Sequence, residues 1–446
     1  MKLVVRGGPL LVALPVASTK SPTIALLFCA VPLLCLAGPV QGQSSSALLR
    51  PEIPPDYDRG RNVSVMERPR PDFAPLGIRS GSLLAFPALE IGATTASNVY
   101  LSPGPDIRDS FFTIQPSIGL HSDLARHAWT ATGRAAFRRY ANETALDRNE
   151  WEFRSTGRID IDGYHRAFVQ AEAATLSEDP FTSALTPSAA ALSVYSRIGG
   201  ELRFDRQIGR SRLSLSANAA RLRFSEIDDQ SQKDRNRRTL GAVARAEWAL
   251  SPGVSLFGQA SVTDTDYQMP VRLDLQPNLD SISWRLLGGI NMDISGVARG
   301  TVGVGYSRRN YSSSEYDDVS GLSIEAELTY FLSASTNIRL NAERRIEDAA
   351  LADNLAYMNS GVTLGVDQDI GERLIVTGSA GYWKQDFFAS TDSNESYRFT
   401  ARAKFLATRN LWLRLEGAHA SRQSFGSAPL PSINETSANI TLGVQL

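Results

Sequence analysis

The sequence predicts an all-β protein, a transmembrane antiparallel up-and-down β-barrel of about eighteen strands, with a range of sixteen to twenty. Three observations point there. From Leu83 to the C-terminus apolar and polar residues alternate with period two, and the helical period never appears. Short polar turns alternate with longer polar breaks, and consecutive short turns are about forty residues apart, the length of two membrane strands and a loop. One strand face is small or aliphatic with almost no charge in mid-strand, while the other carries both signs, so the apolar face suits lipid and the polar face a lumen.

Composition narrows the functional classes. In 446 residues, 46 Lys and Arg nearly balance 47 Asp and Glu, so no basic footprint for nucleic acid exists. Both cysteines, Cys29 and Cys35, fall at the N-terminus, which removes disulfides, thiolate metal sites and thiol nucleophiles from everything after it. No cofactor is expected.

Taken in order, residues 1–42 read as a cleaved export signal. Lys2, Arg6 and Lys20 supply positive charge, Thr23 to Leu36 is apolar, and Val40-Gln41-Gly42 offers small residues for cleavage. A spanning helix fits less well, because Ile24 to Val40 is shorter than the ~20 residues a span needs and contains Pro32 and Pro39. Residues 43–82 hold Pro51, Pro54, Pro55, Pro69, Pro71 and Pro75 and predict an extended periplasmic leader, partly laid against the barrel mouth or serving as a disordered tether. Residues 83–446 form the barrel.

Within the barrel the hairpin Glu395 to Ala420 shows the pattern most fully. Tyr397, Phe399, Ala401, Ala403 and Phe405 alternate with Arg398, Thr400, Arg402 and Lys404, and after Thr408-Arg409-Asn410 Leu411, Leu413 and Leu415 alternate with Arg414 and Glu416. Eight short turns and nine longer loops give eighteen strands with both ends in the periplasm. Two strands break the pattern: Ser211 to Phe224 changes phase at Ala219-Ala220, and Ile375 sits on the polar face, and a bulge would account for either. Glu347 to Asn354 reads as a long loop, as do Asp264 to Asp280 and Ser421 to Ser432. Trp129, Tyr164, Trp248, Tyr330 and Trp412 beside the short turns, and Tyr140, Trp151, Tyr195, Trp284, Tyr306, Tyr382 and Tyr397 toward the loops, suggest two aromatic belts at the lipid head groups.

The candidate functional surface is the lumenal set Arg154, Arg158, Arg197, Glu201, Arg203, Arg245, Glu247, Arg285, Arg299, Glu325, Glu327, Arg339, Arg398, Arg402, Lys404, Arg414 and Glu416. Such charges either tune solute selectivity or brace the wall by pairing across strands, and their intermixed signs favour bracing. His419 and Ser421 share a strand face with Asn434 nearby, a loose echo of a histidine base and serine nucleophile acting on lipid. Alternation of small polar residues makes such triplets common by chance. Asp264/Asp266 and Asp317/Asp318 lack the spacing of a dedicated calcium loop.

The run Arg68-Pro-Arg-Pro-Asp-Phe-Ala-Pro-Leu-Gly-Ile-Arg-Ser-Gly-Ser with Leu83 and Leu84, followed by Phe86-Pro87-Ala88-Leu89 and Asn98-Val99-Tyr100, resembles the start of the putative beta-barrel porin 2 family of bacterial outer-membrane proteins. Pro116-Ser117, Ser122-Asp123, Arg126-His127 and Gly157-Arg158-Ile159-Asp160 extend the resemblance. It implies an outer-membrane barrel, and family members are often associated with surface or secreted polysaccharide production; it supplies no catalytic residues. This chain departs in ending on Leu446 rather than on an aromatic residue. The expectation is therefore a non-enzymatic porin-like barrel of the outer membrane that passes small hydrophilic solutes or assists exopolysaccharide export. Its expected partners are outer-membrane lipids and lipopolysaccharide, the barrel assembly machinery and polysaccharide export components. A plugged structural or interaction barrel is the alternative, and a lipid hydrolase using Ser421 and His419 a more distant one.

Overall fold

A computed structural model describes residues 63–102, 106–178, 181, 193–227, 231–294, 297–351, 354–427, 429 and 432–446. The expected export signal, and the proline-rich segment as far as residue 62, lie outside the described residues. The strands are β1 (Ile78–Ser80), β2 (Leu83–Ala96), β3 (Asp109–Ser122), β4 (Ala128–Tyr140), β5 (Arg148–Asp160), β6 (His165–Ser177), β7 (Val194–Ile208), β8 (Ser211–Phe224), β9 (Arg237–Ser251) and β10 (Val254–Tyr267). They continue as β11 (Ser281–Ile294), β12 (Ala298–Tyr311), β13 (Val319–Ser333), β14 (Thr336–Leu351), β15 (Asn354–Ile370), β16 (Leu374–Phe387), β17 (Ser393–Leu406), β18 (Leu411–Phe425) and β19 (Ile433–Gln445).

Each strand from β2 to β19 pairs antiparallel with its sequence neighbours, and β19 returns to β2 from Ser437↔Ala96 to Gln445↔Ala88, which closes an 18-stranded barrel. β1 pairs with Leu83, Leu84 and Ala85 on the same side of β2, beyond the end of β19, so it finishes the seam and adds no wall strand. Leu446 N–H donates to the Pro87 carbonyl at 3.1 Å at this junction. Closure pairs β2 with β19 and so leaves the sheet without a free first or last strand, which a bilayer requires.

The register sorts side chains as alternation predicts. Val169, Ile198, Leu202, Leu215, Leu240, Leu286, Phe399, Leu415 and Ile440 stay exposed on the outer face. Buried polar residues of the strands, such as Arg245, Gln259, Arg285, Asn337 and Asp367, lie on the inner face. This inversion of a soluble core is what lipid as outer solvent produces. Pro116 has no N–H to give, and the β3–β4 ladder skips from Ile114↔Phe137 to Ser117↔Arg134 around it.

Neither pattern break is a bulge. β7–β8 and β8–β9 run in unbroken register through Ala219-Ala220, and Leu222 and Phe224 simply point inward to pack on Tyr195. β15–β16 and β16–β17 are likewise continuous through Ile375, which points inward to pack on Val65. Asp264, Asp266 and Ser421, read as loop residues, lie within β10 and β18.

The Glu347–Asn354 loop is corrected too. β14 and β15, 16 and 17 residues long, remain paired through Asp348↔Ala356 and again at Leu351↔Asn354. The belts are partial: Trp151, Trp248, Tyr306, Tyr330 and Tyr397 project outward, but Tyr140, Tyr195 and Trp412 turn inward and are buried.

Candidate functional site

Every lumenal candidate lies on the inner face, and most are tied to a neighbour. Glu172 holds Arg197 at 2.7 Å and Arg154 at 3.3 Å, Arg158 reaches Asp160 at 3.2 Å, and Arg203 reaches Asp205 at 3.3 Å. Arg285 pairs with Glu325 at 2.8 Å, Arg402 with Glu416 at 2.7 Å, and Arg414 with Glu90 at 3.0 Å. Arg245 pairs with Glu247 at 2.6 Å, donates to Asn291 at 2.8 Å, and lies 3.7 Å over the Phe257 ring. Glu201 accepts from the Ser216 hydroxyl at 2.9 Å, Lys404 sits 4.2 Å over the Trp412 ring, and Arg398 5.4 Å over that of Phe181. Glu327 occupies the same face of β13. Paired charges on adjacent strands brace the wall, and their mutual neutralisation leaves a lumen without a dominant sign. The sequence reading passed over the wall acids Glu90, Glu172 and Asp367, although the same alternation marks them.

At the end carrying the short turns, the leader enters the lumen. Val65, 1% exposed, packs on Ile375, Leu406 and Trp412, with Met66 and Phe73 beside it. Burying such a side chain stabilises the contact by about 2 kcal/mol. This cup explains the inward Ile375 and Trp412: they serve the leader. Polar contacts fix the segment around it. Val65 N–H donates to Asn337 Oδ1 at 2.8 Å, Arg68 and Arg70 both reach Asp369 Oδ2 at 3.0 and 2.9 Å, and Glu67 meets Arg299 at 2.8 Å. Burial alone would raise the Glu67 carboxyl, but the Arg299 guanidinium and hydrogen bonds from Arg299 and Ser64 hold it below the usual carboxylate range. Arg409 donates to the Pro71 carbonyl at 3.0 Å and Gln445 to the Phe73 carbonyl at 3.3 Å.

At the loop end, the β14–β15 hairpin leaves the wall. β13 pairs with β14 only from Ile324↔Arg344 onward, so β14 beyond Arg344 has β15 as its only strand partner among the described residues. There Ile346, Ala356 and Met358 pack on Val319 and Tyr311 of the neighbouring strands, and Asp348 accepts from Tyr267 at 3.2 Å and from Arg309. Contacts with β10, β12 and β13 require the tip to turn inward across their inner surface. Tyr357, on the opposite face of the tip, packs with Phe387 and donates to Glu347 at 2.8 Å. Phe181, in the β6–β7 connection, is buried across the lumen against Ala420, Ile433 and Leu101.

Between these closures the wall of β2–β5 and β17–β19 borders a cavity of about 280 Å³. Arg134, Arg138, Arg402 and Arg414 face Glu90, Glu150, Glu152 and Glu416 around it, with Thr113, Gln115, Ser437, Asn439 and Thr441 between. The donors and acceptors are arrayed without excess charge, a setting for hydrophilic solutes.

His419 and Ser421 do not form a dyad pointing at a pocket. Both lie on the outer face of β18, and the His419 Nδ1 is 2.9 Å from the Thr436 hydroxyl. Asp318 accepts from Arg308 at 2.8 Å and from Tyr311 N–H at 3.2 Å, and Asp266 pairs with Arg238 at 2.8 Å. Among the described residues no three His, Cys, Asp or Glu side chains gather where they could hold a metal ion.

A family model described as putative beta-barrel porin 2 matches residues 70–446. A comparison with curated proteins finds no match. Among solved structures, the chain is similar to Pseudomonas aeruginosa OpdQ at 10% identity, TM-score 0.45, over 84% of this chain and 99% of that one. It is also similar to Acinetobacter baumannii OccAB3 at 12% identity, TM-score 0.44, over 82% and 100%. A third is a mutant ferric enterobactin receptor, PfeA, from Pseudomonas aeruginosa, at 8% identity, TM-score 0.44, over 81% and 80%.

Proposed function

The chain belongs to the putative beta-barrel porin 2 family and is a porin-like barrel of the outer membrane, and from that premise we propose that it is a non-enzymatic channel for small hydrophilic solutes. The observation that carries this reading is the polar, charge-balanced cavity between the two mouths. The turn end is then periplasmic and the loop end extracellular. With arginines and carboxylates neutralising one another, size and hydrogen bonding select the solute more than its charge does. The leader in the periplasmic mouth and the hairpin in the extracellular mouth set the width of the path. A role in assisting exopolysaccharide export rests on the family resemblance. A plugged envelope barrel is the second reading, favoured by the depth of Val65 in its cup. Lipid hydrolysis by His419 and Ser421 has no support in the outward direction and separate partners of that histidine.

Single-channel recording in planar bilayers tests the channel. The full chain is expected to give small conductance steps of weak ion preference, and Asp369→Ala, which removes the acceptor of Arg68 and Arg70, larger ones. A silent bilayer for both proteins would replace the channel with the plugged barrel.

A further inference from the structure

A second site stands on the outer surface, near the extracellular rim of β8–β10. Arg221 and Arg238 are directly opposite each other in the β8–β9 register, and both are exposed. Arg223, also exposed, is two residues further along the same face of β8. The parity of this face is fixed by Leu213, Leu215 and Leu240, which are exposed toward lipid, whereas Leu222 and Phe224 alternate inward.

The height follows from strand geometry. Arg238 lies ten residues beyond the outward Trp248 along β9. At about 3.3 Å per residue and a tilt of about 40°, that distance is about 25 Å along the membrane normal, the height of the apolar band of such barrels. With Trp248 at the periplasmic boundary, the arginines stand at the head groups of the outer leaflet.

Like charges directly opposite on a sheet repel unless an anion joins them. Other cations of the outer rim have an acid of their own: Arg308 has Asp318 at 2.8 Å, Lys384 has Asp386 at 3.0 Å, and Arg139 has Asp147 at 3.8 Å. Arg238 itself has Asp266 at 2.8 Å, which serves only one cation of the group. Among the described residues no carboxylate lies within ion-pair distance of Arg221 or Arg223. Guanidinium forks bind phosphate bidentately, and lipid is the medium this face meets. We propose that Arg221, Arg223 and Arg238 form a binding site for a phosphate of lipid A, the membrane anchor of lipopolysaccharide.

Native mass spectrometry on the delipidated full chain in detergent tests this, titrating lipid A with two phosphates, its monophosphoryl form and its fully dephosphorylated form. Bisphosphoryl lipid A is expected to saturate at one tight copy, at least tenfold tighter than the dephosphorylated lipid. Arg221→Ala/Arg238→Ala is expected to lose at least tenfold, Arg221→Lys/Arg238→Lys to recover part of it, and Arg139→Ala, elsewhere on the rim, to bind as the parent does. Equal binding of the three lipids, or an unchanged double alanine variant, would overturn the site. Competition by inorganic phosphate at concentrations matching the lipid would overturn the assignment to lipid; its failure to compete supports it. The result is independent of conductance, so the site and the channel stand or fall separately.

Discussion

Asp367, wholly buried, accepts from Asn337 Nδ2 at 2.9 Å, from Arg339 Nε and Nη2 at 2.6 and 3.0 Å, and from the Thr377 hydroxyl at 3.0 Å. Asn337 passes this order on to the leader through Val65 N–H. Replacing Asp367 with Asn keeps the shape but leaves Arg339 without its charge partner, and breaking such a pair costs about 3 kcal/mol. The expected outcome is a lower urea midpoint for the heat-modifiable folded band, with Thr377→Val falling well short of that loss. Glu67 gives the leader a pH dependence. Its carboxyl is held below the ordinary value of 4.5, so its contribution is fully present above that value and lost as pH falls through the lowered one. A spin label at Met66→Cys should become more mobile only under that acid condition; a mobility indifferent to pH would remove Glu67 from the clamp. Residue alternation made the wall legible, because every charged candidate followed it. It misjudged Ile375 and Trp412, since an apolar side chain on the polar face looks like an error of phase when its partner, here Val65, comes from a distant part of the chain, and Leu222, whose inward partner is Tyr195 on the neighbouring strand.

At the scale of elements, the β14–β15 hairpin shows what strand patterning does not carry. Glu343, Arg345, Glu347 and Asp348 form a charged run, and a charged run next to Asn354 has the composition of a loop. In the fold those charges are spent inside: Arg345 pairs with Glu347 at 2.7 Å and Glu343 at 3.2 Å, while Asp348 ties the tip to the inner wall. Removing that tie with Asp348→Ala should let the tip swing and raise single-channel conductance. Unaltered steps would mean the hairpin does not bound the path. The leader was similarly hidden. Its prolines excluded regular structure, yet they left Val65 and the alternating Arg68 and Arg70 free to find the cup and Asp369.

For the molecule as a whole, strand number and closure were legible because the alternation of short turns and long loops is a global pattern, insensitive to errors at single residues. Which mouth is narrowed, and by what, was not, because contacts between the leader and β14–β18 span some 300 positions of sequence. Those contacts reach the seam itself. The leader touches Arg409, in the turn between β17 and β18, and Gln445, the last residue of β19, while the seam beside them is the join that only the final strand completes. The clasp therefore belongs late in assembly: it has no cup until the wall exists. Interactions absent from a folding transition state slow unfolding and leave folding untouched. A chain truncated before Gly77 should fold into detergent at the parent's rate yet unfold faster, read by the decay of the heat-modifiable band after transfer to denaturant. In that sense the leader acts as a ratchet, giving a finished barrel a longer lifetime without hastening its formation.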